Sequence, residues 1–131
     1  MSDLSRAIVL VDHGSRRPEA NEQLEALAGL LRAREPGTLV LTAHLEILPP
    51  DLVDALGACA RAGAHDVVVL PWFLAAGRHT RDDIPERVAE GSARHPELRV
   101  RIGEPLGLHA KLIEVAWERI AAARAAAPPA R

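Results

Sequence analysis

The sequence predicts an α/β domain, with a four-stranded parallel sheet flanked by helices in a three-layer, flavodoxin-like sandwich. Two observations carry this expectation. Four short runs read as strands, and the first and third of them, apolar, β-branched and without polar alternation, read as buried strands at the centre of a sheet. Each is followed by a longer segment whose apolar residues recur at helical spacing, and strict strand-helix alternation implies parallel strands with helices on both faces. Right-handed crossovers leave few topologies, and the order 2-1-3-4 is the expected one.

The first strand is Ala7-Ile8-Val9-Leu10-Val11, too short for a helix, ending in Asp12-His13-Gly14-Ser15. A glycine directly after the histidine lets the chain turn sharply. Pro18 suits a first helical position, and Leu24, Leu27, Leu30 and Leu31 repeat at helical spacing until Pro36-Gly37 stops them. The second strand covers residues 38–46, from Thr38 to Glu46. Pro50-Asp51 then opens a helix whose face is Leu52, Ala55, Leu56 and Cys59, closed by Gly63.

The third strand, Asp66 to about Pro71, delivers the loop Trp72-Phe73-Leu74-Ala75-Ala76-Gly77-Arg78-His79. Thr80 and Asp83 have capping-box spacing, but Pro85 would then fall inside the helix and remove a backbone bond, so a start near Pro85 is expected instead. Leu98-Arg99-Val100-Arg101-Ile102 alternates apolar with charged, the pattern of an edge strand with one wetter face. Leu108, Leu112, Val115, Ala116 and Ile120 stripe the last helix. The expected domain is the whole of 1–131, with a core of about 7–124 and a frayed tail at 125–131.

Composition narrows the function classes. A chain of 131 residues can bury a continuous core without staples. The net charge of −2 and an aromatic content of 2% argue against a nucleic-acid partner. The single cysteine, Cys59, permits no internal disulfide and no Cys-rich zinc site, and its place on an apolar stripe makes it a core residue. The first residues lack the basic start and long apolar stretch of a signal peptide, and no segment reads as a membrane span, so a cytoplasmic location is expected.

Ligands of open parallel sheets bind beyond the carboxyl ends of the strands, at the point where strand order reverses. Three chemically able residues arrive there: His13 after the first strand, Glu46 after the second and His79 after the third. Two imidazoles and a carboxylate suit a divalent first-row metal with open coordination positions. Taken singly, each has a blander reading as a loop histidine or a surface glutamate; their joint arrival shifts the balance. Arg16, Arg17, Arg78 and Arg81 flank the two histidines and together would attract a polycarboxylate, since guanidinium forks bind carboxylates bidentately. Trp72 and Phe73, two of three aromatic residues in the chain, could offer a flat surface to a large ring or belong to the core. His44 is an accessory candidate and structural by default, His109 lies near the same edge, and His65 and His95 are expected in solvent.

The segments Asp12-His13-Gly14-Ser15-Arg16, Leu45-Glu46, Pro71-Trp72-Phe73-Leu74 with Gly77-Arg78-His79, and Asp83-Ile84-Pro85 resemble, in order and spacing, the short sirohydrochlorin chelatases. Glu104-Pro105-Leu106-Gly107-Leu108-His109 looks like that family too, and the likeness covers residues 7–120. The resemblance implies a class II chelatase, a lyase that inserts Co²⁺ or Fe²⁺ into the polycarboxylate tetrapyrrole sirohydrochlorin without ATP, in cobalamin or siroheme biosynthesis. It also implies a chelatase-type fold in which His13 and His79 match the metal-binding histidines and Glu46 the nearby acidic residue. The longer members hold two such domains around the tetrapyrrole, so a chain of this length resembles those that form homodimers. Asp12 departs from the glycine frequent before the first histidine.

In that reading His13 and His79 hold the metal, Glu46 accepts protons or adds a ligand, and one imidazole, ordinarily titrating near pH 6.5, can take a pyrrole proton. The arginines hold the acetate and propionate arms. Nickel insertion, or a metal carrier or sensor without catalysis, would use the same ligands. A phosphohistidine phosphatase would carry arginine before the histidine, where Asp12 repels phosphate. A serine hydrolase would need the Gly-x-Ser-x-Gly turn that Ser15 lacks.

Overall fold

A computed structural model of the chain describes residues 5–75 and 77–130; the side chains of Arg78, His79 and Thr80 lie outside the described set. The elements run β1 (Arg6–Asp12), α1 (Pro18–Arg34), β2 (Leu39–His44), α2 (Leu52–Arg61), β3 (Asp66–Pro71), α3 (Arg78–Arg94), β4 (Arg99–Ile102) and α4 (Ala110–Ala125). The four strands form one parallel sheet in the order β2-β1-β3-β4, with Val11 in register with both Ala43 and Pro71. The predicted fold class and strand order are therefore borne out.

Side chains alternate across a strand, and the two faces of this sheet are filled unequally. Ala7, Val9 and Val11 of β1 and Val67 and Val69 of β3 pack with Leu52, Leu56 and Cys59 of α2 and Ile84 and Val88 of α3. On the other face Leu10 and Val40 meet Leu24 and Ala28 of α1, with Ile8, Leu70 and Trp72 partly buried beside them. Leu56 is fully buried, which by itself stabilises the fold by about 1.5–3 kcal/mol relative to exposure. The α2 and α3 helices approach so closely that a Cβ on Gly91 would stand 2.5 Å from Cδ1 of Leu56.

Helix starts explain most boundaries. Pro18 occupies the first turn of α1, and Asp51 caps α2 in a capping box with Asp54. Two expectations are corrected. The α3 helix begins at Arg78, with Gly77 as N-cap, and carries Pro85 inside it rather than starting there; proline costs a helix one backbone bond, and packing of Ile84 and Val88 in the core outweighs that loss. The α4 helix forms as predicted, but its stripe is not buried: no residue of α4 is, and Ile113, Val115, Trp117 and Ile120 are exposed.

Candidate functional site

The β1 strand ends in a turn that its own side chains build. Asp12 Oδ1 accepts the Gly14 N–H at 2.9 Å and lies 2.6 Å from Nδ1 of His44, which is 5% exposed. One carboxylate oxygen therefore ties the turn to the end of β2. Gly14 has φ +89, and an ideal Cβ there would meet the Glu46 carbonyl oxygen at 2.1 Å, so only glycine fits. The two loops continue side by side: Leu45 N–H donates to Asp12 O and Glu46 N–H to His13 O, both at 2.9 Å.

This pairing sets His13 and Glu46 next to each other at the carboxyl edge, both with exposed side chains. Beyond Glu46 the chain reverses through Ile47, a non-glycine residue at φ +79. The β3 loop closes from the other side, with Trp72 N–H donating to Val11 O at 2.7 Å. The His13 and Phe73 rings lie with centroids 4.6 Å apart and planes tilted by 31°. Leu106 and Gly107, after β4, donate to the carbonyls of Phe73 and Leu74, so all four strand ends are joined through backbone bonds.

Clefts of two sizes flank the His13–Phe73 ring pair at this edge. The larger, about 580 Å³, is lined by Phe73, Leu74, Arg81, Ile84, Ile102 and Glu104 among others. The smaller, about 250 Å³, is bordered by Asp12, His13, Ser15 and Trp72. The larger one falls within the roughly 300–1,000 Å³ of small-molecule sites. His13 and Phe73 touch, so the clefts neighbour each other across that ring pair.

The predicted residues divide as follows. His13, Glu46 and Phe73 come together, Trp72 borders His13 while packing toward α1, and Arg16 and Arg17 are exposed on the same loop. Arg81 lines the larger cleft. Arg78 and His79 have backbones in the first turn of α3, directly beyond the β3 loop, and their side chains are outside the described set. Among the described residues no group of three or more His, Cys, Asp or Glu could hold a metal ion.

His44 is buried against Asp12, and His109 caps α4 by accepting the Lys111 N–H at Nδ1. His65 is exposed as expected, whereas His95 is partly buried, close to Gly57 and 3.9 Å from Glu97. The residue that sequence reasoning passed over is Asp12 as a clamp. Its signal was available, because Asp two residues before a glycine is the pattern of an Asx-turn.

A 2-1-3-4 parallel sheet defines a doubly wound α/β protein, a class in which ligands bind at the switch point of the strand order. The CbiX family model matches residues 7–123, and the chain belongs to that family. It is 39% identical over 113 residues to the chloroplastic sirohydrochlorin ferrochelatase of Arabidopsis thaliana, covering 86% of this chain and 50% of that protein. It is 30% identical to the sirohydrochlorin cobaltochelatase of Methanococcoides burtonii, covering 86% of this chain and 92% of the relative. The crystal structure of the sirohydrochlorin chelatase SirB from Bacillus subtilis subspecies spizizenii in complex with cobalt superposes with a TM-score of 0.83 at 28% identity, over 90% of this chain and 50% of that one. The chain spans about half the length, or less, of the first curated relatives it matches.

Proposed function

We propose that this protein inserts a divalent metal, Co²⁺ or Fe²⁺, into sirohydrochlorin without ATP, acting as a single-domain chelatase that pairs as a homodimer in the cytoplasm. The observation that carries the reading is the juxtaposition of His13 and Glu46, bonded backbone to backbone, at the strand edge of a CbiX-family fold. Relatives that act on sirohydrochlorin with cobalt or iron support the substrate class. No helix among the described residues is long and apolar enough to cross a membrane.

In this reading the metal is a substrate, delivered to the ring by His13 and His79, with positions left open toward the macrocycle. Insertion requires the loss of two pyrrole N–H protons and of the ion's waters. Glu46 and whichever imidazole is released from the metal accept those protons. Arg16, Arg17, Arg78 and Arg81 pair with the carboxylate arms, and the Phe73 ring, already against His13, forms the apolar wall beside the ring, with Trp72 at its flank.

Visible spectra of sirohydrochlorin mixed with the protein and Co²⁺, Fe²⁺ or Ni²⁺ test this. A chelatase converts many equivalents of tetrapyrrole and shows which metal it favours, Ni²⁺ included. A carrier or sensor converts none. His13→Ala and His79→Ala should each abolish insertion while leaving circular dichroism unchanged, and wild-type rates in both would reject the site.

A further inference from the structure

Ile47 combines a backbone and an environment that both disfavour its side chain. Its φ is +79, in the left-handed region that penalises any residue with a Cβ and a β-branched one most. Leu48 N–H donates to Glu46 O at 2.9 Å, two residues back, and a bond of that span about a positive φ makes the rarer, strained form of γ-turn. The side chain is 57% exposed and belongs to neither core cluster, whereas Leu45 and Leu48 on either side are partly buried. An exposed aliphatic residue alone is ordinary. One held in a strained backbone is not, because such strain persists only where the surroundings impose it, and it concentrates at functional sites.

The surroundings do impose it. His44 N–H donates to Pro50 O at 2.9 Å, closing residues 44–50 into a loop with Ile47 at its middle, and Glu46 N–H is tied to His13 O. Ile47 follows Glu46 in the chain, Glu46 is bonded to His13, and the His13 ring lies 4.6 Å from Phe73. By this connectivity an apolar residue brackets the His13–Glu46 pair on each side. We propose that Ile47 is a substrate-contacting residue, the apolar wall opposite Phe73, and that it sets affinity for the macrocycle. The inference rests on the proposed activity and adds to it a determinant outside the polar set. A tetrapyrrole is a broad apolar disc with its carboxylates on the rim, so gripping it takes apolar contacts spaced wider than one side chain. Covering Ile47 withdraws apolar surface from water without competing for the metal. The strained turn holds that side chain outward in advance, so little ordering remains when the ring arrives.

Three substitutions separate contact from backbone. Ile47→Gly and Ile47→Asn both accept a positive φ and remove the aliphatic group, while Ile47→Leu keeps an aliphatic group of the same size. Binding of metal-free sirohydrochlorin is read from quenching of tryptophan fluorescence, since Trp72 borders the His13 cleft; turnover with Co²⁺ is read from the visible spectrum. Glycine and asparagine should each raise Kd and KM about tenfold with kcat within about twofold, and leucine should stay within about threefold on both. Ile47→Gly should also unfold in urea at a midpoint no lower than the wild type's, because the strain is relieved. Unchanged Kd in the glycine and asparagine variants overturns the contact, and so does a loss in the leucine variant equal to theirs, which would make the backbone alone responsible. A lowered midpoint for Ile47→Gly would show the side chain supporting the fold and overturns it too. Unchanged Kd together with loss of association in gel filtration would place a second chain, not the substrate, on Ile47. A wild type that neither binds nor converts sirohydrochlorin overturns the proposed activity and this contact together, whereas an active wild type with unaffected variants overturns the contact alone.

Discussion

Replacing Gly14 by alanine should be far more damaging than one added methyl suggests. The new Cβ would stand 2.1 Å from the Glu46 carbonyl oxygen and 3.2 Å from Cβ of His44, and neither can swing aside, because Glu46 is bonded through its N–H to His13 O and His44 is held against Asp12. Relief requires the β1 and β2 loops to part at Glu46, which breaks its 2.9 Å N–H bond to His13 O. A left-handed residue with a Cβ costs about 1–2 kcal/mol, overpacking about 1–3, and the lost bond about 1, together about 3–6 kcal/mol. Against a typical domain stability of about 5–15 kcal/mol this is a large fraction.

Gly63 supplies the comparison, since it has the same φ of +89 and nothing within 4 Å of an added Cβ. Gly63→Ala should cost only the conformational part, about 1–2 kcal/mol. Urea unfolding followed by circular dichroism measures both. If the two substitutions cost the same, or if Gly14→Ala exceeds Gly63→Ala by less than about 1 kcal/mol, the loop pairing is not the constraint described and the overpacking argument fails.

Two further outcomes follow from the core. Gly91→Ala should destabilise by about 1–3 kcal/mol through its collision with Leu56, and in a double-mutant cycle with Leu56→Ala the losses should be well below additive, because the truncation vacates the space the methyl needs; simple additivity would contradict the close approach of α2 and α3. Burial pushes the Cys59 thiol from 9.0 up to about 11, so the folded protein prefers the neutral form. Its contribution to stability is complete below about pH 9 and is lost as pH rises toward about 11; the chain has no tyrosine to titrate in that window, and chemical unfolding of wild type against Cys59→Ala across it should show the decline in the wild type alone.

Much of the architecture was legible because β-branched runs without polar alternation mark central strands, even where one face stays open, as at Val68, which is 40% exposed. Val67-Val68-Val69-Leu70 and Ile8-Val9-Leu10-Val11 could be little else than central strands, and once their order is set the β1 and β2 loops and the start of α3 must share an edge. What periodicity cannot report is what a face packs against. The α4 stripe was visible in the sequence, yet the same spacing serves a helix on its own sheet and one held away from it. The α3 start was misplaced because Gly77 offers no side-chain cap while Thr80 and Pro85 offer misleading ones. Trp72 was assigned to the site by its neighbourhood in sequence, but alternation past β3 turns it toward α1, and it serves both places. The Asp12–His44 contact joins residues 32 apart in sequence, and only the pairing of β1 with β2 makes them neighbours.

The unequal filling of the two sheet faces bears on how such a molecule yields. Among the described residues, fourteen are buried in the α2-α3 layer and four in the α1 layer. Side chains that interlock densely resist displacement, and thinly populated regions give way at lower free energy. Any breathing of the fold is therefore cheapest through a tilt of α1, which leaves the thicker layer as a fixed anvil beneath the loops that carry His13 and Glu46.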